Sequence, residues 1–121
     1  MKTQIELTMA DAVGVPNGVV VKVKGDIDST TATTFSDEIF AILNNGPVVN
    51  IIVDLSDLRY VNSTGLGTFL NITKSVRLKG GSFAICNVNE NISDVIDIIG
   101  ATAVLSIFAN VDEALNSFAK K

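Results

Sequence analysis

The residues of this chain that could take part in chemistry are a hydroxyl pair, Ser63 and Thr64, within the sequence Asn-Ser-Thr-Gly-Leu-Gly at 62–67. They follow the apolar run 50–55 and open a segment whose apolar residues have helical spacing. A serine at a helix start can accept a hydrogen bond from an unpartnered backbone N–H. The same place favours a phosphate, because free N–H groups and the helix dipole attract negative charge. Ser63 is therefore predicted to be either a helix cap or a phosphorylation site.

The sequence lacks the residue combinations that enzymes commonly use for catalysis. The chain has no histidine, so it cannot form a Ser-His-Asp or Cys-His arrangement, and the commonest zinc ligand is missing. Gly65 and Gly67 resemble part of a dinucleotide-binding turn, but the third glycine is replaced by Leu70. The acidic residues are scattered without an evident pair. We therefore expect no catalytic residue, no metal site and no cofactor, and we interpret the chain as not being an enzyme.

Length and composition indicate one small globular domain spanning residues 1–121. A net charge of −4 argues against a nucleic-acid partner, which would call for a basic face. No apolar run is long enough to cross a bilayer or to act as a signal peptide. A single cysteine, Cys86, fits a reducing compartment. We expect a cytoplasmic protein that binds neither nucleic acid nor membrane.

The elements that must position the hydroxyl pair alternate along the chain. Residues 5–9 and 19–24 alternate apolar and polar side chains around an Asn17-Gly18 turn, which predicts an antiparallel hairpin. The apolar run Val48–Leu55 predicts a central strand buried on both faces. Shorter strands are predicted near Phe83 and at Val104–Phe108.

Helical spacing predicts four helices between and after these strands. Their expected caps, in chain order, are Asp28 or Ser29, then Ser63, then Asn91 or Ser93, and finally Asn110. The resulting order is β-β-α-β-α-β-α-β-α. It predicts an α/β fold with a mixed, mainly parallel sheet on which the helices pack.

Two segments resemble a known family, the STAS domain. They are Val-Lys-Gly-Asp-Ile-Asp-Ser-Thr-Thr-Ala at 23–32 and Asp-Leu-Ser-Asp-Leu-Arg-Tyr-Val-Asn-Ser-Thr-Gly-Leu-Gly at 54–67. Together with the order of elements, they are similar to the stand-alone bacterial anti-sigma factor antagonists. The resemblance covers essentially the whole chain, and the second segment is the more specific of the two.

The resemblance implies a function. In that family an unphosphorylated antagonist binds an anti-sigma factor that is also a serine kinase, and so releases the sigma factor. The kinase phosphorylates the serine that begins a Ser-(Ser/Thr)-Gly-Leu motif, which ends the interaction, and a metal-dependent serine phosphatase reverses the modification. Carried over, the acceptor is Ser63, with Thr64 as a second candidate. A monomer is expected, because the antagonist surface must be free for its partner.

The resemblance also implies a partner-binding surface. Its expected members are Asp26, Asp28, Asn62, Ser63, Thr64, Gly65, Leu66 and Gly67. Asn62 departs from the family, which usually has Asp before the acceptor. If that carboxylate orients the acceptor or recruits a basic residue of the kinase, phosphorylation would be slower here. If it shapes the turn, Asn substitutes well.

Two other functions stay open. The chain could be a STAS scaffold or adaptor subunit of another signalling complex, or of a lipid transporter, without a phosphorylation switch. It could also be a small-molecule or nucleotide-binding α/β domain that uses the helix start at residues 63–67 as an anion site.

Overall fold

The computed structural model describes residues 5–120. Its strands are β1 (Ile5–Asp11), β2 (Gly18–Ile27), β3 (Asn50–Val61), β4 (Ser82–Cys86) and β5 (Ser106–Phe108). Its helices are α1 (Ala32–Asn44), α2 (Ser63–Leu78), α3 (Glu90–Ile99) and α4 (Val111–Ala119), with a 3-10 turn at Ala101–Ala103. This order confirms the predicted alternation. Within residues 5–120, no helix is long and apolar enough to cross a membrane.

One five-stranded sheet has its strands in chain order, β1-β2-β3-β4-β5. The β1/β2 pair is antiparallel, and the three other pairs are parallel. The sheet is therefore mixed and mainly parallel, as predicted. Because β2 to β5 run the same way, their last residues and the starts of α1 to α4 meet at one edge, which we call the carboxyl edge.

Helices α1, α2 and α3 pack on one face of the sheet. Buried side chains of the central strands, such as Val53 and Ile85, lie in one cluster with buried residues of these helices. Phe35 of α1 and Phe69 of α2 meet edge to face, with ring centroids 5.5 Å apart. This arrangement is favourable for aromatic pairs and fixes α2 beside α1.

Helix α4 packs on the opposite face. Ala114 and Phe118 lie in a second cluster with Ile52, Ala84 and Cys86, so α4 covers β3, β4 and β5. Cys86 is a small buried strand residue, and its burial raises the pKa of the thiol to about 12. On the same face of β2, Lys24 is exposed. The β1/β2 end of this face is therefore polar and open.

Strand β3 differs from its prediction of Val48–Leu55, because it begins at Asn50 and continues to Val61. The β2/β3 ladder shifts register twice between Lys22 and Asp26. Such irregularities let Leu55, Leu58 and Val61 all be buried at a spacing of three, which a regular strand would not allow. Residues 56–61, which lie beyond the predicted strand, are therefore strand as well.

Three helices begin with the same hydrogen bond from an asparagine side chain. The N–H groups of Gly65, Ile92 and Glu113 donate to the side-chain oxygens of Asn62, Asn89 and Asn110, each at 2.9 Å. Asn110 is the predicted cap of α4. The predicted caps of α2 and α3 are wrong. Asn62 takes the capping position in place of Ser63, and Asn89 takes it in place of Asn91 or Ser93.

The N-cap position of α1 is Thr31, which forms no side-chain capping bond, so the prediction of Asp28 or Ser29 as its cap is wrong. Asp28 instead organises the turn before the helix. Its Oδ1 accepts hydrogen bonds from the N–H of Thr30 at 2.8 Å, from the Thr30 hydroxyl at 2.7 Å and from the N–H of Thr31 at 3.2 Å. The bonds from Thr30, assisted by those from Thr31, outweigh partial desolvation and lower the pKa of Asp28 below its ordinary value of 3.8.

Asn89 has a second task beyond capping α3. Its Nδ2 donates to the carbonyl oxygens of Leu58 at 3.1 Å and Arg59 at 3.2 Å. The ladder between β3 and β4 ends at Asp54, so these two carbonyls lie beyond it. The amide therefore joins the last part of β3 to the start of α3.

We predict that Asn89→Asp is destabilising although aspartate is as good a cap as asparagine in general. The substitution replaces a donor by an acceptor facing two carbonyl oxygens, so the free energy of unfolding should fall by about 1–3 kcal/mol. Urea denaturation measures this change. Asn110→Asp is the matched control and should stay within about 0.5 kcal/mol of wild type. Equal effects of the two variants would contradict the second task of Asn89.

We also predict a pH dependence from Asp28. A carboxyl whose pKa is lower in the folded state stabilises the fold above its unfolded pKa, and this contribution is lost as pH falls through the folded value. The difference in unfolding free energy between wild type and Asp28→Asn should therefore be constant from neutral pH to about pH 5 and shrink below about pH 4. Urea denaturation at several pH values measures it. A difference that is unchanged or larger at low pH would exclude this role.

Candidate functional site

Ser63 and Thr64 are the first two residues of α2, and both are exposed at the carboxyl edge. Because Asn62 caps the helix, the Ser63 hydroxyl is not needed there and makes no hydrogen bond to another residue in the range 5–120. The first turn of α2 has no acidic residue. A negative charge added at Ser63 would therefore meet the unpartnered N–H groups of the helix start without a carboxylate beside it in that turn.

Asn62 connects the start of α2 to the turn before α1. Its Oδ1 accepts the capping bond from Gly65, and its Nδ2 lies 3.4 Å from the Ser29 hydroxyl oxygen. Its backbone N–H donates to the carbonyl of Ile27 at 3.2 Å. These contacts bring the turn at residues 26–31 beside the start of α2.

The glycines of the motif have different roles. A Cβ at Gly65 would lie 2.7 Å from methyl groups of both Ile27 and Val61, so this position must be small for α2 to pack on the strand ends. A Cβ at Gly67 would have no neighbour within 4 Å, and the surface there is bare. Gly67 therefore leaves the surface at the start of α2 open, whereas Gly65 serves internal packing.

Leu66 also needs a correction. The family resemblance places it among the partner-contacting residues, but its side chain is completely buried in the core under α2. It cannot touch a partner in this fold. Leu66 and Gly65 position the exposed residues Ser63, Thr64 and Gly67 by fixing the helix against the sheet.

The two aspartates of the preceding turn are placed differently. Asp28 uses its carboxylate within the turn, as described above. Asp26 forms an ion pair with Arg59, whose Nη2 lies 3.1 Å from Oδ2. The other oxygen of Asp26 is buried and has no hydrogen-bond partner among residues 5–120. The side chain of Asp26 is 21% exposed and that of Arg59 78%, so the guanidinium lies outermost.

Arg59 is a member of this edge that the sequence pattern does not reveal. The predicted strand ends at Leu55, before this position. The pairing of Arg59 with Asp26 depends on the parallel register that aligns Asp26 with Tyr60. The signal available in the sequence is an arginine four residues before Ser63, within the motif itself.

A cleft of about 340 Å³ lies next to this pair, on the open face of the sheet. It is lined by Glu6, Lys24, Gly25, Asp57 and Arg59, and we call it the charged cleft. Asp57 also forms an ion pair with Lys22, whose Nζ lies 3.4 Å from the Oδ2 atom of Asp57. The charged cleft therefore contains both signs of charge at the carboxyl edge.

Asp54 has a structural role close to this face. Burial raises the pKa of its carboxyl, but hydrogen bonds from the Asn87 amide and from Ser56, together with the charge of Lys22, outweigh burial and hold the pKa below its ordinary value. The Asn87 amide lies 2.9 Å from Oδ1. Asp54 therefore stays ionised and joins the end of β4 to β3.

Comparison with known proteins agrees with this geometry. The family model described as STAS domain matches residues 9–114. The anti-sigma-B factor antagonist of Bacillus subtilis is 31% identical over 93 residues, covering 77% of this chain and 84% of the relative. The structure of a candidate anti-sigma factor antagonist from Thermotoga maritima is similar with a TM-score of 0.80 and 26% identity, over 93% of both chains.

A further solved structure shares the fold. It is the Bacillus cell fate determinant SpoIIAA in its phosphorylated form, with a TM-score of 0.67 and 20% identity over 94% of this chain and 98% of that one. At this identity the likeness is one of fold. The family match over most of the chain, the sheet order and the Ser-Thr-Gly-Leu-Gly helix start together show that the chain belongs to the STAS domain family.

Proposed function

We propose that this protein is an anti-sigma factor antagonist that is switched by phosphorylation of Ser63. The observation that carries the proposal is the exposed hydroxyl of Ser63 at the start of α2, which has no hydrogen-bond partner among residues 5–120 because Asn62 takes the capping position. The names of the relatives support the same function, since the Bacillus subtilis relative is an anti-sigma-B factor antagonist.

In the unphosphorylated state, the exposed start of α2 would contact the anti-sigma factor, which is also a serine kinase, and release the sigma factor. Ser63, Thr64 and Gly67 are exposed there. The absence of a side chain at Gly67 leaves space for a partner to approach the helix backbone. Asp26, Asp28 and Asn62 would complete the contact from the neighbouring turn.

Phosphorylation would end the contact by adding charge and bulk to its centre. A phosphate adds about −1.5 to −2 charge. Burying such a charge without a partner costs roughly 2–5 kcal/mol, and about 3 kcal/mol already weakens binding more than a hundredfold. The free domain would tolerate the phosphate, because the helix start favours an anion and the first turn of α2 holds no acidic residue.

The role of Asn62 in this switch follows from its capping bond. An acceptor oxygen at this position starts the helix and leaves the Ser63 hydroxyl available. Asparagine supplies that oxygen as well as aspartate does. The capping bond therefore supports the interpretation that the residue before the acceptor shapes the turn, and that its charge is not required.

The chain would act as a single-domain cytoplasmic monomer of residues 1–121, without catalytic activity, and a metal-dependent serine phosphatase would restore the unphosphorylated form.

A second candidate is a STAS scaffold or adaptor subunit that is not phosphorylated, in another signalling complex or in a lipid transporter. This candidate would gain support if phosphorylation required the carboxylate that Asn62 lacks.

We predict that the genomically adjacent serine kinase and ATP add one phosphate to the wild-type protein. Intact mass spectrometry should show this addition for wild type and Thr64→Ala and its loss in Ser63→Ala. The reason is that the Ser63 hydroxyl is exposed and has no competing hydrogen bond within residues 5–120.

The Thr64→Ala variant is the matched control, since it removes the neighbouring hydroxyl from the same turn. If an active kinase leaves wild type unmodified, or modifies Ser63→Ala equally well, Ser63 is not its acceptor. The scaffold candidate would then be the better account of the same surface.

A further inference from the structure

The charged cleft presents two cations, Arg59 and Lys24, beside the carboxylates of Glu6 and Asp57. Arg59 is 78% exposed and contacts Asp26 through one nitrogen, Nη2, at 3.1 Å. A guanidinium has five N–H donors, so most of its donors remain available. Lys24 is exposed, lines the same cleft and forms no ion pair within residues 5–120.

Asp26 holds the guanidinium from the inner side. One of its oxygens bonds Arg59, and the other is buried without a partner among the described residues. The carboxylate is therefore committed to Arg59 and less accessible than the cation that covers it. An approaching molecule meets a guanidinium already held in one place, which lowers the entropy lost on binding.

The charged cleft lies within reach of a partner bound at Ser63. Arg59 precedes Ser63 by four residues, which is at most about 13 Å along an extended strand. An interface of standard size covers about 800 Å² on each partner, which corresponds to a radius of about 16 Å. A partner centred on Ser63 would therefore also cover Arg59.

We propose that Arg59 and Lys24 form a second contact for the anti-sigma factor and bind an acidic side chain of that partner, with Asp26 as the positioning residue for Arg59. The inference rests on the proposed function and specifies the partner chemistry at a surface that the hydroxyl motif does not include. The lining of the charged cleft also holds the carboxylates of Glu6 and Asp57. Neither forms an ion pair with Arg59 or Lys24 among residues 5–120, and Asp57 is paired with Lys22, so an acidic partner group would meet uncommitted donors.

The test is the association of the unphosphorylated protein with the genomically adjacent anti-sigma factor, measured without ATP at several salt concentrations. Arg59→Ala should lower the association rate constant by roughly fivefold or more, and it should flatten the dependence of Kd on salt. Arg59→Glu should weaken binding further, and Lys24→Ala should act in the same direction as Arg59→Ala. Lys74→Ala, which removes an equal charge from an exposed position of α2, should bind like wild type.

The outcomes separate this inference from the function on which it rests. If wild type binds and Arg59→Ala behaves like Lys74→Ala, the second contact is excluded while the antagonist function stands. Tighter binding by Arg59→Glu would show a basic partner group and would also overturn the inference. If the wild-type protein does not bind the anti-sigma factor at all, both proposals fail. Unfolding midpoints equal to that of wild type confirm that each variant is folded.

Discussion

The hydrogen bond from the Gly65 N–H to the Asn62 side chain is the interaction on which the arrangement of the carboxyl edge depends. It places the cap of α2 at Asn62, so that the Ser63 hydroxyl is exposed and forms no hydrogen bond to another residue within 5–120. Gly65 allows this start, because any side chain there would collide with the ends of β2 and β3. Asn62 also reaches the turn before α1, which brings Asp26 and Asp28 to the same surface.

The asparagine cap is repeated along this edge. Asparagine starts α3 and α4 as well, and the Asn89 amide joins α3 to the last part of β3. An asparagine can accept the capping bond with one atom and donate with the other, which aspartate cannot do when ionised. The helix starts at this edge are therefore joined to the strand ends by hydrogen bonds beneath the exposed side chains. In the proposed switch, a modification at this edge would change what binds without changing the fold.

The alternation of strands and helices was predictable because its apolar periodicities are local and strong. The position of the caps was less so, since Asn62 and Ser63 are adjacent and both residue types cap helices. The extension of β3 to Val61 could not be predicted, because two register shifts in the β2/β3 ladder change the spacing of its buried residues. The Asp26–Arg59 pair joins residues 33 positions apart, and such a contact follows from strand register and not from local sequence.

The most direct test of the phosphorylation switch compares one preparation before and after stoichiometric phosphorylation of Ser63. Both its Kd for the anti-sigma factor and its unfolding midpoint are measured. We expect binding to weaken more than about a hundredfold, while the midpoint stays the same or rises, because the phosphate lies at a favourable helix start. Loss of binding together with a lower midpoint, or unchanged binding by the phosphorylated protein, would contradict the switch.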